Sequence, residues 1–480
     1  MVSLNSSFYL GLNGVNAARA GLNVTGNNIA NINTEGYSRQ SAELAARRDQ
    51  QSGTLLLGTG VDIQKVSAAR DQLVESAFTK QTAQFGYHDE LYQRLRHLEG
   101  IMEENDTTGL AQSMQRFFSG LEEAATRPDQ LAPRQELLES ASSLALELRS
   151  RYRHLEEMQA QSNFEVETMV EQVNTLTEQI ASLNIQISSQ AKDPQNLIDE
   201  RGRLINQLSD LVGIDVFQME NRIVQINLKN TGYIIVGSTE STPLGTQLDA
   251  ANFNYYDITY PVNGVTTDIS SDLNFGRIEA TLQMRDTEIP ALKRRLDNLA
   301  AGLIQNVNTL HQTGIALDGA TTGLNFFSPF VSGAPGPDNN YGAAGTIALS
   351  TDVAGQPDMI GLSATGAAGD NTIGNQLAAL RQAVSVIDSD GDNVYDTGSF
   401  EQYYQGTLSG LGSAVYASEE AQNANEALLR QTENRRSELS SVSLDEEAVK
   451  LTQFQRAFQA SSKFISVIDQ LTGDIINQLR

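Results

Sequence analysis

The chain has 480 residues, 40% of them hydrophobic, no Trp, no Cys and a formal net charge of −26. That charge argues against a phosphate-reading surface or a dock on anionic lipid, both of which need clustered Lys and Arg. The lack of Cys excludes disulfides, thiolate nucleophiles and Cys-based metal sites. No apolar run approaches the ~18 residues that cross a bilayer, and the opening MVSLNSSFYLGLNGVNAARAG lacks the basic start and apolar core of a secretory signal peptide. No nucleic-acid or membrane partner is expected.

In chain order, Leu4, Phe8, Val15, Ala18, Leu22, Thr25, Ile29 and Ile32 follow steps of three and four, with Gly11 in one weak layer. This is the seam of an amphipathic helix. The same helix is crowded with Asn5, Asn13, Asn16, Asn23, Asn27, Asn28, Asn31 and Asn33. Asparagine is a poor helix-interior residue because its amide competes for backbone groups. The expectation is that these amides bond to surrounding protein, specifically to neighbouring subunits. A long helix is predicted from Arg134 to Ala191, with Pro133 at its start and Val166, Met169, Val173, Leu176, Ile180, Leu183 and Ile187 on one face. Pro194 breaks it, and a shorter helix carries Leu197, Leu204, Leu208 and Leu211.

The texture then changes. RIVQINLKNTGYIIV reads as two strands around a Gly-containing turn, and YDITYPVNGVTTDI as a hairpin turning at Asn263-Gly264. Pro261 predicts an edge strand. Helix returns at RDTEIPALKRRLDNLAAGLIQNVNTLHQTG. From Leu317 to about Asn375 the chain is rich in Gly, Ala, Asn and Pro, which suits loops. Helical patterning resumes near Phe400. Toward the end Leu444, Leu451, Phe458, Ile465 and Leu479 repeat every seven, Thr472 being the polar break, and Phe454, Ser461, Ile468 and Ile475 interleave. The two ends carry matching seams, so their pairing is the economical reading; two independent surface helices is the alternative.

The fold class expected is α+β and multidomain: a long helical rod or bundle, terminal coiled-coil helices and a small inserted β domain. Residues 1–40 form the N-terminal helix of an inner terminal domain and 41–212 a helical rod. Residues 213–274 form a β domain that could be removed with little effect on its host. The rod returns over 275–325, a loop-rich insert spans 326–375, the rod returns again over 376–440, and 441–480 is the C-terminal helix of the inner terminal domain.

Signs of chemistry are thin, and no cofactor or catalytic residue is expected. His88, His97, His154 and His311 are scattered through helical segments without metal-site spacing and read as surface or packing residues. GLGSAV at Gly410 lacks the third glycine of a dinucleotide loop. The acids of LDEE, residues 444–447, read as dipole partners at a helix start, with Ser443 and Glu446 as a capping box. DSDGDNVYD spaces Asp388, Asp390, Asp392 and Asp396 at mostly alternating positions, as oxygen ligands for Ca²⁺ would be. However, Asn393 and Ser399 stand where an EF-hand loop has Gly and Glu, and a solvated acidic turn is the simpler reading.

ANINTEGYSRQ, residues 30–40, resembles the N-terminal signature of bacterial flagellar axial proteins, the rod, hook and hook-associated subunits. The residues that match are Ala30, Asn31, Thr34, Gly36, Tyr37, Ser38 and Arg39. SLDEEAVKLTQFQRAFQASSKFISVIDQL resembles the C-terminal helix of the same family. The long helix, LIDERGRLINQLSDLVGI and FGRIEATLQMRDTEIPALKRRLDNLAAGLIQNVNTLHQTGIALDG are similar to the hook-associated subunits at the hook–filament junction. The turn SSVSLDEE departs from the family, which often has Gly there.

The resemblance implies a structural, extracellular flagellar protein, required for filament assembly and motility. It would self-associate in a tube through Leu4, Phe8, Val15, Leu22, Ile29, Ile32, Leu451, Phe454, Phe458, Ile465, Ile468 and Ile475. It also implies contact with the hook protein and the distal hook–filament junction protein, and export unfolded through the flagellar type III apparatus. A cytoplasmic chaperone would bind Leu451, Phe458 and Ile465. The rival readings are a sister axial subunit, either the hook protein or the distal junction protein, and a surface-displayed enzyme housed in residues 331–370.

Overall fold

The computed structural model describes residues 4–34, 36–48, 50–52, 55–103, 109–190, 194–330, 340–383 and 398–478. Helix α1, Leu4–Ala30, leads through a turn into strands β1 (Gln40–Ala46), β2 (Gln50–Ser52), β3 (Leu55–Leu57) and β4 (Val61–Ala68). β1 pairs antiparallel with β4, and β2 with β3. The helical rod expected from residue 41 therefore begins only after Ala68. The alternation of Val61 and Ile63 that marks this hairpin is short and interleaved with charge, and a bulge between Glu43 and Leu44 breaks its register.

Helix α2 (Gln72–Met102) starts at an Asp71 cap, whose carboxylate accepts from the Leu73 amide at 2.8 Å. Then come α3 (Leu110–Thr126), α4 (Leu131–Ser189) and α5 (Gln195–Leu211). The 59 residues of α4 span roughly 88 Å at ~1.5 Å per residue. Pro133 lies in the first turn of α4, where its missing N–H costs no helical bond.

The β region holds β5 (Ile214–Gln218), β6 (Val224–Leu228), β7 (Ile234–Val236), β8 (Gly245–Asp249), β9 (Tyr255–Val262) and β10 (Val265–Asp268). They form two antiparallel sheets, ordered β5-β6-β7 and β10-β9-β8. The β9–β10 turn has positive φ at both Asn263 and Gly264, as a two-residue hairpin needs. Pro261 is on the central strand, not an edge strand. Pairing with β8 runs only from Tyr255 to Thr259, so at Pro261 β9 has β10 alone beside it and no ladder bond is lost.

The chain returns through α6 (Arg277–Gln283), a π-turn at Met284–Glu288, α7 (Ile289–His311), α8 (Ala343–Thr346), α9 (Thr372–Ala379), α10 (Phe400–Ser440) and α11 (Leu444–Gln478). Gly410 and its neighbours lie inside α10. Ser399 and Gln402 close a reciprocal capping box at its start.

Helix α4 serves two cores in succession. Its first half, with α2, α3, α7, α8, α9 and α10, buries an aromatic group that includes Phe117, Phe118, Phe326, Phe327 and Phe400. Its second half, from Val166 to Ile187, shares a core with α5, α6 and the strands. The β region is therefore not a detachable insert. Its chain ends do meet, Gly213 N–H donating to Phe275 C=O at 3.0 Å. Yet Ile226, Ile235 and Ile258 complete the cover of Val173, Ile180 and Leu208. Asn184 fastens the two parts: its amide donates to Val224 C=O at 2.7 Å and accepts from Arg201 at 2.9 Å.

Between the cores lies a polar layer at the π-turn. The buried Arg285 guanidinium binds Asp286, Asn163 and the Tyr256 carbonyl, and the Arg285 carbonyl accepts from Gln159 at 2.8 Å. This many partners offset the cost of taking the charge out of water.

Candidate assembly stalk

Helices α1 and α11, from opposite ends of the chain, lie side by side and antiparallel. The face of α1 turned to α11 is made of small residues. Added Cβ atoms would stand 2.6 Å from Ile465 at Gly11, 2.7 Å from Ser461 at Gly14 and 2.4 Å from the Phe454 ring at Gly21. Ala17, Ala18, Thr25 and Asn28 are buried along the same line. The two helices approach closely because α1 has almost no side chains in the way, and α11 supplies the volume.

This corrects the larger side chains of the seam read from the sequence, whose Gly11, Ala18 and Thr25 do lie on the contact. Phe8, Val15, Leu22, Ile29 and Ile32 flank the contact and are half-buried or exposed. Leu4 is the first residue of α1. On α11, Leu451, Phe454, Ile465 and Ile468 are half-buried toward α1, while Phe458 and Ile475 remain more open. Leu479 lies outside the described residues. The stalk leaves Phe8, Tyr9, Leu10 and Leu12 exposed on one helix, and Phe464, Val467, Leu471, Ile475 and Ile476 on the other. So much exposed apolar side chain is more than scattered surface residues supply.

At its base the stalk is tied by the segment following Ala30. The side chain of Asn28 bridges to the backbone of Gln40, accepting from its N–H at 2.9 Å and donating to its carbonyl at 2.9 Å. That amide group also donates to Glu447 at 3.0 Å, and Tyr37 O–H donates to Asn28 Oδ1 at 2.8 Å. Arg39 Nε binds Glu447 at 3.0 Å, Arg39 also pairs with Glu446, and its N–H donates to Ser440 C=O at 2.9 Å. Asn31 folds back on Asn27, and Thr34 on Asn31. Gly36 holds a left-handed φ of 78° that turns the chain.

The asparagines of this knot thus bond within the chain; Asn13 likewise donates to Thr59 C=O at 3.2 Å. Asn28, fully buried, spends its amide on partners of its own chain and not on a neighbouring subunit. Ala30 ends α1.

Charge in the knot is paired. Burial pushes the Glu447 carboxyl up, but hydrogen bonds from Asn28, Lys450 and Arg39 outweigh it and hold it below the usual carboxylate value. Burial, with Asp199 and Glu447 nearby, pushes the Tyr37 phenol up to about 12. A second link joins the stalk to the helical body: Arg70 pairs with Asp199 of α5 and donates to Ser38 Oγ at 2.8 Å, while Gln40 donates to Asn196 at 3.1 Å. Burial raises the Asp199 carboxyl despite Arg70. Beside this link an open cleft of about 1110 Å³ separates the signature turn from the body, with Ile32, Phe78, Phe85, Leu176 and Leu429 in its walls.

Sequence reasoning missed Glu447, reading it as an ordinary helix-start acid. It also missed Asp199, Arg70 and Gln40. No spacing signals a partner hundreds of residues away. The capping role of Ser443 is present, with Glu446 N–H 3.5 Å from its hydroxyl.

His311 is a packing residue: Nδ1 lies 2.8 Å from Leu324 C=O, and Nε2 accepts from Gly361 N–H at 2.9 Å. Among the described residues no cluster of His, Asp or Glu could hold a metal ion, and no helix is long and apolar enough to cross a membrane. Asp388, Asp390, Asp392 and Asp396 lie outside the described residues.

Paired chain ends, a polar knot at their base and a two-core helical body fit the axial subunit that the flagellar resemblance implies. Comparison with known proteins points the same way. Residues 8–37 match the flagella basal body rod protein family, and 434–479 the C-terminal family of flagellar basal body rod FlgEFG proteins. Residues 95–327 match the helical domain of the flagellar hook-associated protein FlgK.

The chain is 28% identical over 497 residues to flagellar hook-associated protein 1 of Bacillus subtilis, covering 96% of each chain. It is 25% identical to the Escherichia coli protein of that name, over 71% of this chain and 63% of that one. Its fold matches the flagellar hook junction protein FlgK from Burkholderia pseudomallei, with a TM-score of 0.65 and 16% identity over 78% of this chain and all of that one. The chain belongs to the hook-associated protein 1, or FlgK, family of structural flagellar proteins.

Proposed function

We propose that this chain joins hook to filament as a purely structural subunit. Its stalk packs with the stalks of neighbouring copies in an inner tube, and its two-core body projects outward. The observation that carries this reading is the pairing of α1 with α11, which leaves apolar side chains outward on both helices. Paired helices with one face filled and another face apolar are incomplete alone and are completed by copies of themselves.

The hook protein on one side and the distal junction protein on the other are the neighbours this role requires. Export proceeds through the flagellar type III apparatus, and a cytoplasmic chaperone holds Leu451, Phe458 and Ile465 until then. A chain without Cys suits that route, since no disulfide has to form after passage. The reading includes no catalytic step.

Electron microscopy of a strain lacking the gene tests it. Intact hooks without filaments are expected. Loss of the hook itself favours a different axial subunit, and filaments still in place overturn the role.

A further inference from the structure

The charge of this chain is divided sharply between its two parts. Residues 1–70 and 441–480, which contain the stalk and its hairpin, together hold ten Lys or Arg and nine Asp or Glu. Residues 71–440, which contain the body, hold 23 and 50. The stalk region is therefore close to neutral, at +1, and the body carries −27. Within the stalk base the charges are paired: Arg39 with Glu446 and Glu447, Lys450 with Glu447. On the body many acids are unopposed; Glu136, Glu157, Glu171, Glu178 and Glu420 are all exposed.

We propose that self-association of this chain is gated by ionic strength. Apolar stalk faces draw copies together, and like-charged bodies hold them apart until salt screens the repulsion. The proposal rests on the self-association reading above. Its physical basis is the range of Coulomb repulsion, which falls from about 30 Å at ~0.01 M salt to about 8 Å at ~0.15 M. At low ionic strength, two bodies of −27 brought side by side by their stalks repel across the whole width of the contact. At higher ionic strength only near neighbours are felt. The stalk gains no such penalty because it is neutral. The arrangement also favours one face for association: the bodies gain nothing from meeting each other, so copies meet through the stalk.

The sign of the salt effect distinguishes this from an assembly held by intersubunit ion pairs. Ion-pair assembly weakens as salt is added; this one strengthens.

The test is sedimentation velocity of the full chain from about 10 mM to about 150 mM NaCl, a range set by the screening lengths above. Association is expected to tighten about tenfold or more. Salting-out of apolar faces is separated from screening by the combined variant Glu136→Gln, Glu157→Gln, Glu171→Gln, Glu178→Gln and Glu420→Gln, all at exposed positions. It is expected to associate more tightly than the parent at low salt and to show a shallower salt dependence. Association that is flat or falls with salt, or a variant with the parent's full slope, overturns the gate and leaves the self-association reading standing. A chain that stays monomeric at every salt concentration overturns both.

Discussion

Asn28 and Glu447 stand 419 residues apart in the sequence and meet side chain to side chain at 3.0 Å. Both are fully buried. One amide group thereby connects α1, the Gln40 backbone and the first turn of α11. Asn28→Ala leaves the Gln40 N–H and C=O and one Glu447 oxygen without this partner, at a cost of about 1–3 kcal/mol. The Gln40 amide should exchange with deuterium roughly tenfold faster or more. Asn28→Asp should cost more, because it sets a second carboxylate against Glu447. An Asn28→Ala chain with unchanged exchange at Gln40 would show that the knot does not hold the stalk base.

The close approach of the terminal helices depends on glycine. A Cβ at Gly21 meets the Phe454 ring at 2.4 Å, whereas a Cβ at Gly26 meets nothing within 4 Å. Gly21→Ala should therefore force the helices apart, costing about 1–3 kcal/mol. Gly26→Ala should be neutral or stabilising by up to about 1 kcal/mol, since it removes backbone freedom from a helix interior. Paired chemical-denaturation curves followed by a label on α11 check the ordering. Equal behaviour of the two variants would place the contact elsewhere.

Acid should loosen the first core through His311. Burial pushes its pKa below the ordinary 6.5, against the pull of the Leu324 carbonyl. The folded state therefore holds neutral imidazole while the unfolded chain binds a proton. The stability this contributes is fully present above about pH 6.5 and is lost as pH falls toward the lower folded value. Glu447, also held below its ordinary value, adds a further loss below about pH 4.5. His311→Gln should flatten the melting-temperature profile between pH 7 and about 5 relative to the parent. Parallel profiles for the two proteins would remove His311 as the source.

The β region should not be removable. Replacing Asp215 to Leu273 with a short linker keeps the chain ends together, as the Gly213–Phe275 bond allows. It also strips the cover from Val173, Ile180 and Leu208. Several buried aliphatic side chains, at about 1.5–3 kcal/mol each, are then returned to water. Limited proteolysis should cut α4 between Val166 and Ile187 in the deletion variant and not in the parent. Equal resistance would restore the reading of a detachable insert.

Periodic features were legible in the sequence and relational ones were not. The two terminal helices, the break at Pro194, the Asn263-Gly264 turn and the helix from Phe400 are local patterns, and each appears where its residues point. The hairpin from Gln40 to Ala68 was hidden by the shortness of its strands, two of which have only three residues. The true contact face of α1 was hidden for another reason. Apolar weight falls on Phe8, Val15 and Leu22, while Gly11, Gly14 and Gly21 make contact by having no side chain. Hydrophobic periodicity cannot detect a residue chosen for its absence of bulk. Asn28, Arg39 and Glu447 looked like a poor helix former, a surface cation and a dipole acid. Only folding brings them together.

The central claim is that the outward face of the stalk assembles with other copies. Phe458 on α11 keeps 37% of its surface exposed, and a carboxylate there sets an unpaired charge in an assembled apolar interface. The most direct measurement is electron microscopy of cells whose only copy carries Phe458→Asp, with export of the variant verified in the culture medium. Hooks lacking filaments, with the variant exported, are the predicted result. Hooks bearing filaments of normal number and length would contradict the account.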